Sequence, residues 1–234
     1  MINVIPTALD GVLIIEPKVF KDPRGYFFES FSERDFNAAV EPILGHGIKF
    51  VQDNESMSSY GVMRGLHFQT MPYTQSKLVR CVKGAVLDVA VDIRKGSPTY
   101  GQHVECLLCA HDEEGKRIAE QHKDMFFPLN RGTEGVCGLQ FFVPRGFAHG
   151  FSVLSETAIF QYKCDNFYAP ANDGGISILD ESLGINWQIP GYGLPPTQGD
   201  ERGSALLSDK DTKHALLKDF DTPFSINDDL YPEY

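Results

Sequence analysis

Short runs rich in Val, Ile, Phe and Tyr recur along this chain, each closed off within a few residues by Gly, Pro, Asn or Asp. That punctuation reads as strand and turn rather than helix. The runs place strands over 12–15, 26–31, 49–52, 62–68, 77–82, 85–93, 103–109, 139–143, 150–154 and 158–162. In one of them Leu87, Val89, Val91 and Ile93 alternate with Asp88, Ala90 and Asp92, the period of two that a strand imposes. Gly84, between two runs, reads as a hairpin turn. One helix is expected over 33–44, because Ser32 stands at the N-cap position with Asp35 three residues later, close to a capping box. Many short strands, little helix and no internal repeat predict an all-β sandwich or barrel. An aromatic share of 12%, mostly Phe, is enough to fill its core.

A chain of 234 residues makes one large domain or two small ones. Folded, it hides roughly 70% of its unfolded surface, so it needs no disulfide or metal to hold a core. The reading is one domain over 1–190 with a C-terminal arm, 191–234, lying against it with a little helix. Residues 111–137 are polar and form an insertion between strands. Its apolar run Met125 to Leu129 is expected to pack on the body or a partner subunit, and the tail SINDDLYPEY to fray.

Basic side chains number 21 and acidic ones 32, a net charge of −11. This argues against a general nucleic-acid or anionic-membrane binder, and any small anionic ligand needs a local cluster of Arg and Lys. No apolar run approaches the roughly 20 residues that span a bilayer. The N-terminus lacks a basic region and carries Asp10 early, so it is not read as a signal peptide. Cys81, Cys106, Cys109, Cys137 and Cys164 are an odd, scattered set that suits the reducing cytoplasm. Cys106 and Cys109 have CxxC spacing, but on a strand their side chains face opposite ways and cannot readily share an ion.

No Walker A, G-x-G-x-x-G, G-x-S-x-G or H-E-x-x-H pattern is present. The informative stretch runs from Gln52 to Gly101 and packs Gln52, Asn54, Arg64, His67, Gln69, Lys77 and Arg80 onto adjacent strands. Any one of these could simply face solvent, but their density among Val and Leu fits strands lining a wet cavity. Arg64 and His67 lie three apart and share a face only if a bulge intervenes, with Gly65 the candidate. A second stretch, PRGFAHGF from Pro144 to Phe151, has the P-x-G-x-x-H spacing of the second cupin motif. Metal-binding cupins also carry an H-x-H pair, whereas this chain reads His67-Phe68-Gln69, so no bound metal is expected.

Six ordered motifs resemble those of the dTDP-4-dehydrorhamnose 3,5-epimerase family: DPRGYFFESF, QDNESMSSYGVMRGLHFQ, QSKLVRCVKGAVLDVAVDIRKGSPTYG, PRGFAHGF, YKCDNFYAP and LSDKD. The resemblance runs over about 3–110 and 139–217, interrupted by the insertion. It implies a metal-free cupin jelly roll with no cofactor, a homodimer that exchanges N-terminal strands, and a thymidine-diphosphate 4-keto-6-deoxyhexose as substrate. It makes His67 the base, Asp211 its partner, Lys77 the group at the ketone oxygen and Tyr162 the acid on the other face. Arg24, Glu29, Gln52, Asn54, Arg64, His149, Tyr168, Asp173 and Lys210 become substrate contacts. On their own residues, Asp211 would read as a helix cap or loop acid and Tyr162 as a core aromatic. Three competing readings remain: a sibling mono-epimerase or an epimerase of another nucleotide sugar, a non-catalytic sugar-binding cupin, and a metal-dependent cupin oxygenase.

Overall fold

In the computed structural model the described residues are 2–123, 136–190, 193–194 and 205–232. Two antiparallel sheets carry the fold. The first has six strands in the order β1 (Ile2–Pro6), β2 (Leu13–Pro17), β10 (Gln140–Val143), β7 (Lys77–Lys83), β12 (Thr157–Cys164) and β5 (Gln52–Ser59). The second has five, in the order β13 (Asp173–Gly175), β6 (Met63–Gln69), β11 (Phe147–Val153), β8 (Ala85–Asp92) and β9 (His103–Cys109). Strands distant in sequence are neighbours in both, which is jelly-roll connectivity. A small hairpin, β3 (Phe20–Asp22) with β4 (Gly25–Phe27), stands apart from them.

Three apolar layers explain why so many strands are buried on both faces. Val79, Phe141 and Phe160 of the first sheet meet Val86, Ala90, Phe147 and Phe151 of the second. The helix α1 (Glu33–Leu44) lays Phe36 and Val40 over Leu13, Ile15, Leu78 and Phe142 on the outside of the first sheet. Trp187, Ile189, Phe224 and Leu230 cover Leu87, Val89 and Val91 on the outside of the second. Every residue of β8 is therefore buried, Asp88 and Asp92 included. The strand alternates as its sequence predicts, but the face carrying Asp88 looks into the molecule instead of into water.

The helix over 33–44 starts and stops where its caps predict. Ser32 Oγ accepts from the Asp35 backbone N–H, and Gly45 closes it with φ +82°. Other boundaries differ. The run expected over 26–31 pairs only as far as Phe27, and Glu29 lies beyond it. The run expected over 49–52 ends where the strand begins, because β5 is Gln52–Ser59 and carries no apolar alternation. The insertion opens with a helix that its polarity concealed, α2 (Glu113–Gln121), capped by Asp112 and burying Ile118 and Ala119. The run from Met125 to Leu129 lies outside the described residues. The tail is docked rather than frayed: Leu230 is buried, and the Tyr231 hydroxyl pairs with Ser76 Oγ at 2.7 Å and accepts from Arg145 N–H at 2.9 Å. Cys106 and Cys109 fall in different apolar layers, and each thiol's pKa is pushed upward by burial.

Candidate active site

A cavity of about 410 Å³ opens between the sheets, lined by Arg64, His67, Lys77, His149, Tyr162 and Asp211 among others. Its shape starts with an irregularity in β6. His67 pairs with His149 and Arg64 with Phe151, so β6 advances three residues while β11 advances two. The extra residue lies at Gly65–Leu66. It turns Arg64 and His67, which would otherwise face opposite ways, onto the same cavity. Gly65 has φ +127°, and a Cβ there would stand 2.5 Å from Gly150 Cα, so only glycine fits.

His67 Nε2 lies 2.5 Å from Asp211 Oδ1. Asp211 comes from the 3₁₀ turn Asp211–Lys213, and the chain just before it runs beside β6 through a parallel bridge between Val62 and Leu206. Ser208 Oγ donates to the other carboxylate oxygen at 2.8 Å. Burial pushes the Asp211 pKa up, but the bonds from His67 and Ser208 outweigh it and hold the carboxyl below its ordinary range. Asp211 thus stays an anion beside the imidazole.

Tyr162 projects from β12 in the opposite sheet, where its register partners are Asn54 and Val79. Burial raises its pKa, which keeps the phenol protonated, and its hydroxyl bonds to no described residue. Lys77, at the start of β7, brings an ammonium with no hydrogen bond or salt bridge to a described residue. Arg64 Nε and Nη2 donate to Ser58 Oγ at 3.2 and 3.0 Å. His149 Nε2 lies 2.7 Å from Asp88 Oδ1.

A second cavity of about 360 Å³ shares His67, Lys77 and Tyr162 with the first and adds Gln52, Asn54, Tyr168, Asp173 and Lys210. Gln52 Nε2 donates to Asn54 Oδ1 at 3.1 Å, and the Tyr168 hydroxyl donates to Asp173 Oδ2 at 3.2 Å. Lys210 pairs with the same Asp173 oxygen. Eleven of the thirteen residues that the resemblance assigns to the site therefore meet on one continuous hollow. The other two do not. Arg24 sits at the tip of the β3–β4 hairpin, held by Asp22 at 2.6 Å, and Glu29 is exposed in the segment that follows.

Sequence reasoning missed Asp88, Ser208 and His214. Asp88 was visible as an acid inside an apolar strand. His214 gave no signal beyond its place three residues after Asp211. Its ring centroid lies 5.7 Å from that of His67, and one ligand atom from each of His67, Asp211 and His214 falls within 4.8 Å of the others.

The family model described as dTDP-4-dehydrorhamnose 3,5-epimerase matches residues 6–137 and 136–219. The chain is 46% identical to the dTDP-4-dehydrorhamnose 3,5-epimerase of Shigella flexneri over 219 residues, 94% of this chain and 98% of that one. It is 47% identical to the Escherichia coli (strain K12) enzyme of that name over 201 residues, 86% and 92% of the two chains. Among solved structures, the dTDP-6-deoxy-D-glucose-3,5-epimerase of Legionella pneumophila in complex with dTDP-4-keto-L-rhamnose aligns with a TM-score of 0.71. The identity is 40%, and the alignment covers 94% of this chain and 95% of that one. The fold shared with such neighbours is the cupin-type jelly roll.

Proposed function

Because this chain belongs to the dTDP-4-dehydrorhamnose 3,5-epimerase family, a family of isomerases, we propose that it converts dTDP-4-dehydro-6-deoxy-D-glucose to dTDP-4-dehydro-L-rhamnose. The ketone at carbon 4 acidifies the protons on carbons 3 and 5. Removing one gives an enolate, and returning a proton to the other face inverts the carbon. The observation that carries this reading is that His67 and Tyr162 stand on opposite walls of one cavity, each from a different sheet.

His67 is the base. With Nε2 committed to Asp211, Nδ1 is the nitrogen left to take the substrate proton. The Asp211 carboxylate fixes that tautomer and favours the imidazolium that follows. Lys77 stabilises charge on the carbon-4 oxygen, where charge develops only as the proton leaves. Tyr162, kept neutral by its burial, donates from the far wall. No step in this scheme calls on a metal or a cofactor.

Arg64, Lys77 and Lys210 supply the local positive cluster that an anionic nucleotide sugar requires in a chain of charge −11, and His149 adds a polar contact. Gln52, Asn54, Tyr168 and Asp173 hold the rest of the ligand along the second hollow. Arg24 and Glu29 act on the cavity of a second copy, in a cytoplasmic homodimer that exchanges its N-terminal strands. The exposure of Phe20, Tyr26 and Phe27 on and beside that hairpin, at 53%, 52% and 70%, supports an interface there.

The test is incubation with dTDP-4-dehydro-6-deoxy-D-glucose, with a 4-ketoreductase that forms dTDP-L-rhamnose trapping the product. Formation of dTDP-L-rhamnose is expected. A product inverted at one carbon alone would make the chain a mono-epimerase.

A further inference from the structure

We propose that His67, Asp211 and His214 form a site for zinc-like divalent cations, and that a cation bound there switches the epimerase off. The three side chains converge from two parts of the chain, His67 from β6 and the other two from the 3₁₀ turn Asp211–Lys213 and its C-cap. Two imidazoles and a carboxylate are a donor set that Zn²⁺ prefers, and three protein ligands leave one position open to water from the cavity. The carboxylate is buried, with 3% of its side chain exposed.

A second observation singles out His214. Its Nε2 is shut off from solvent and has no hydrogen-bond partner among the described residues. The ring rests against Gly175, where a Cβ would stand 2.6 Å from Nε2, so glycine at 175 is what admits it. Its unbonded nitrogen has no task in the epimerisation proposed above, and coordination gives it one.

The geometry needs a small adjustment. Donors about 2.0–2.2 Å from a tetrahedral zinc stand about 3.3–3.6 Å apart. Separations that reach up to 4.8 Å therefore close by roughly 1–1.5 Å, and the 2.5 Å His67–Asp211 contact opens by about 1 Å, both within reach of side-chain rotation. The inhibition follows from tautomer chemistry. A metal on His67 Nε2 takes that lone pair, so the ring proton moves to Nδ1, the atom assigned to accept the substrate proton. No proton is lost, yet the base is blocked. This inhibitory arm rests on His67 being the base, whereas binding does not.

The experiment uses the full chain after chelator treatment. Co²⁺ titration is read by the visible absorption of tetrahedral cobalt, Zn²⁺ by competition against it, and turnover is followed with Zn²⁺ and then with excess EDTA. Wild type is expected to show the cobalt bands and lose turnover with Zn²⁺, and EDTA is expected to restore it. His214→Ala should keep its metal-free turnover within about twofold and need at least about tenfold more metal for either effect. If that variant folds poorly, His214→Gln replaces it. Absence of cobalt bands in wild type, or equal metal sensitivity in wild type and variant, overturns the site. Binding that depends on His214 but leaves turnover untouched overturns the switch, and points to a base other than His67.

Discussion

His67 and His149 are cross-strand partners, and each ring holds an aspartate, Asp211 at 2.5 Å and Asp88 at 2.7 Å. The pairs look alike but their carboxylates do not. Asp211 receives a second bond from Ser208 Oγ, and its pKa lies below the ordinary carboxylate range. Asp88 is fully buried, its Oδ2 has no partner among the described residues, and burial raises its pKa despite His149. The first pair presents a stable anion to the ring that the proposed mechanism uses to accept a proton. The second holds a ring in place with a carboxyl that resists ionising. In the proposed mechanism, what separates the base from the binding group is the hydrogen bonding of the buried carboxylate behind each histidine.

The largest effect expected from that contrast is at Asp211. Asp211→Asn keeps the shape but removes the anion that favours imidazolium, so kcat should fall by about 10²–10⁴-fold with little change in substrate affinity. Asp88→Asn should leave kcat within about tenfold and act mainly on KM through the orientation of His149. Equal losses in kcat for the two variants would erase the distinction.

Tyr162→Phe comes next. It should cut net epimerisation by about 10²-fold while sparing exchange of the substrate proton with solvent, since His67 can still form the enolate and return a proton to the same face. Matched losses of exchange and epimerisation would give Tyr162 a packing role instead.

A smaller effect is the opposed dependence of stability on pH. Asp211 has a lowered folded pKa, so its contribution is present above the unfolded value of about 3.9 and disappears as pH falls through the folded value. Asp88 has a raised folded pKa, so it costs stability as pH rises from about 3.9 toward the folded value. Melting curves should show wild type losing its advantage over Asp211→Asn below about pH 4, and Asp88→Asn gaining on wild type above it. Parallel slopes would contradict the electrostatic contrast.

Much of the fold could be read from the sequence wherever burial left a pattern. The strand His103–Cys109 and the helix Glu33–Leu44 have the limits their periodicity and caps predict. The strand Gln52–Ser59 was unreadable because its inner face carries Gln52, Asn54, Ser56 and Ser58, so both faces are polar and no alternation survives. That is what a cavity wall looks like in one dimension. The bulge at Gly65 could be anticipated, because two polar groups three apart cannot otherwise share a face. Asp211 lies 144 residues from His67 and has no local signature, so only the motif resemblance pointed to it. Nothing pointed to His214, whose interest comes wholly from where the chain returns.

The proposed mechanism has one histidine, His67, serving both carbons. It is tested most directly by incubating wild type and His67→Ala with dTDP-4-dehydro-6-deoxy-D-glucose in deuterated water and following carbons 3 and 5 by NMR. One deuteron at each carbon is expected with wild type and none at either with His67→Ala, while nucleotide-sugar binding stays within about tenfold. Deuterium persisting at either carbon in the variant would contradict it, because another group would then be removing that proton.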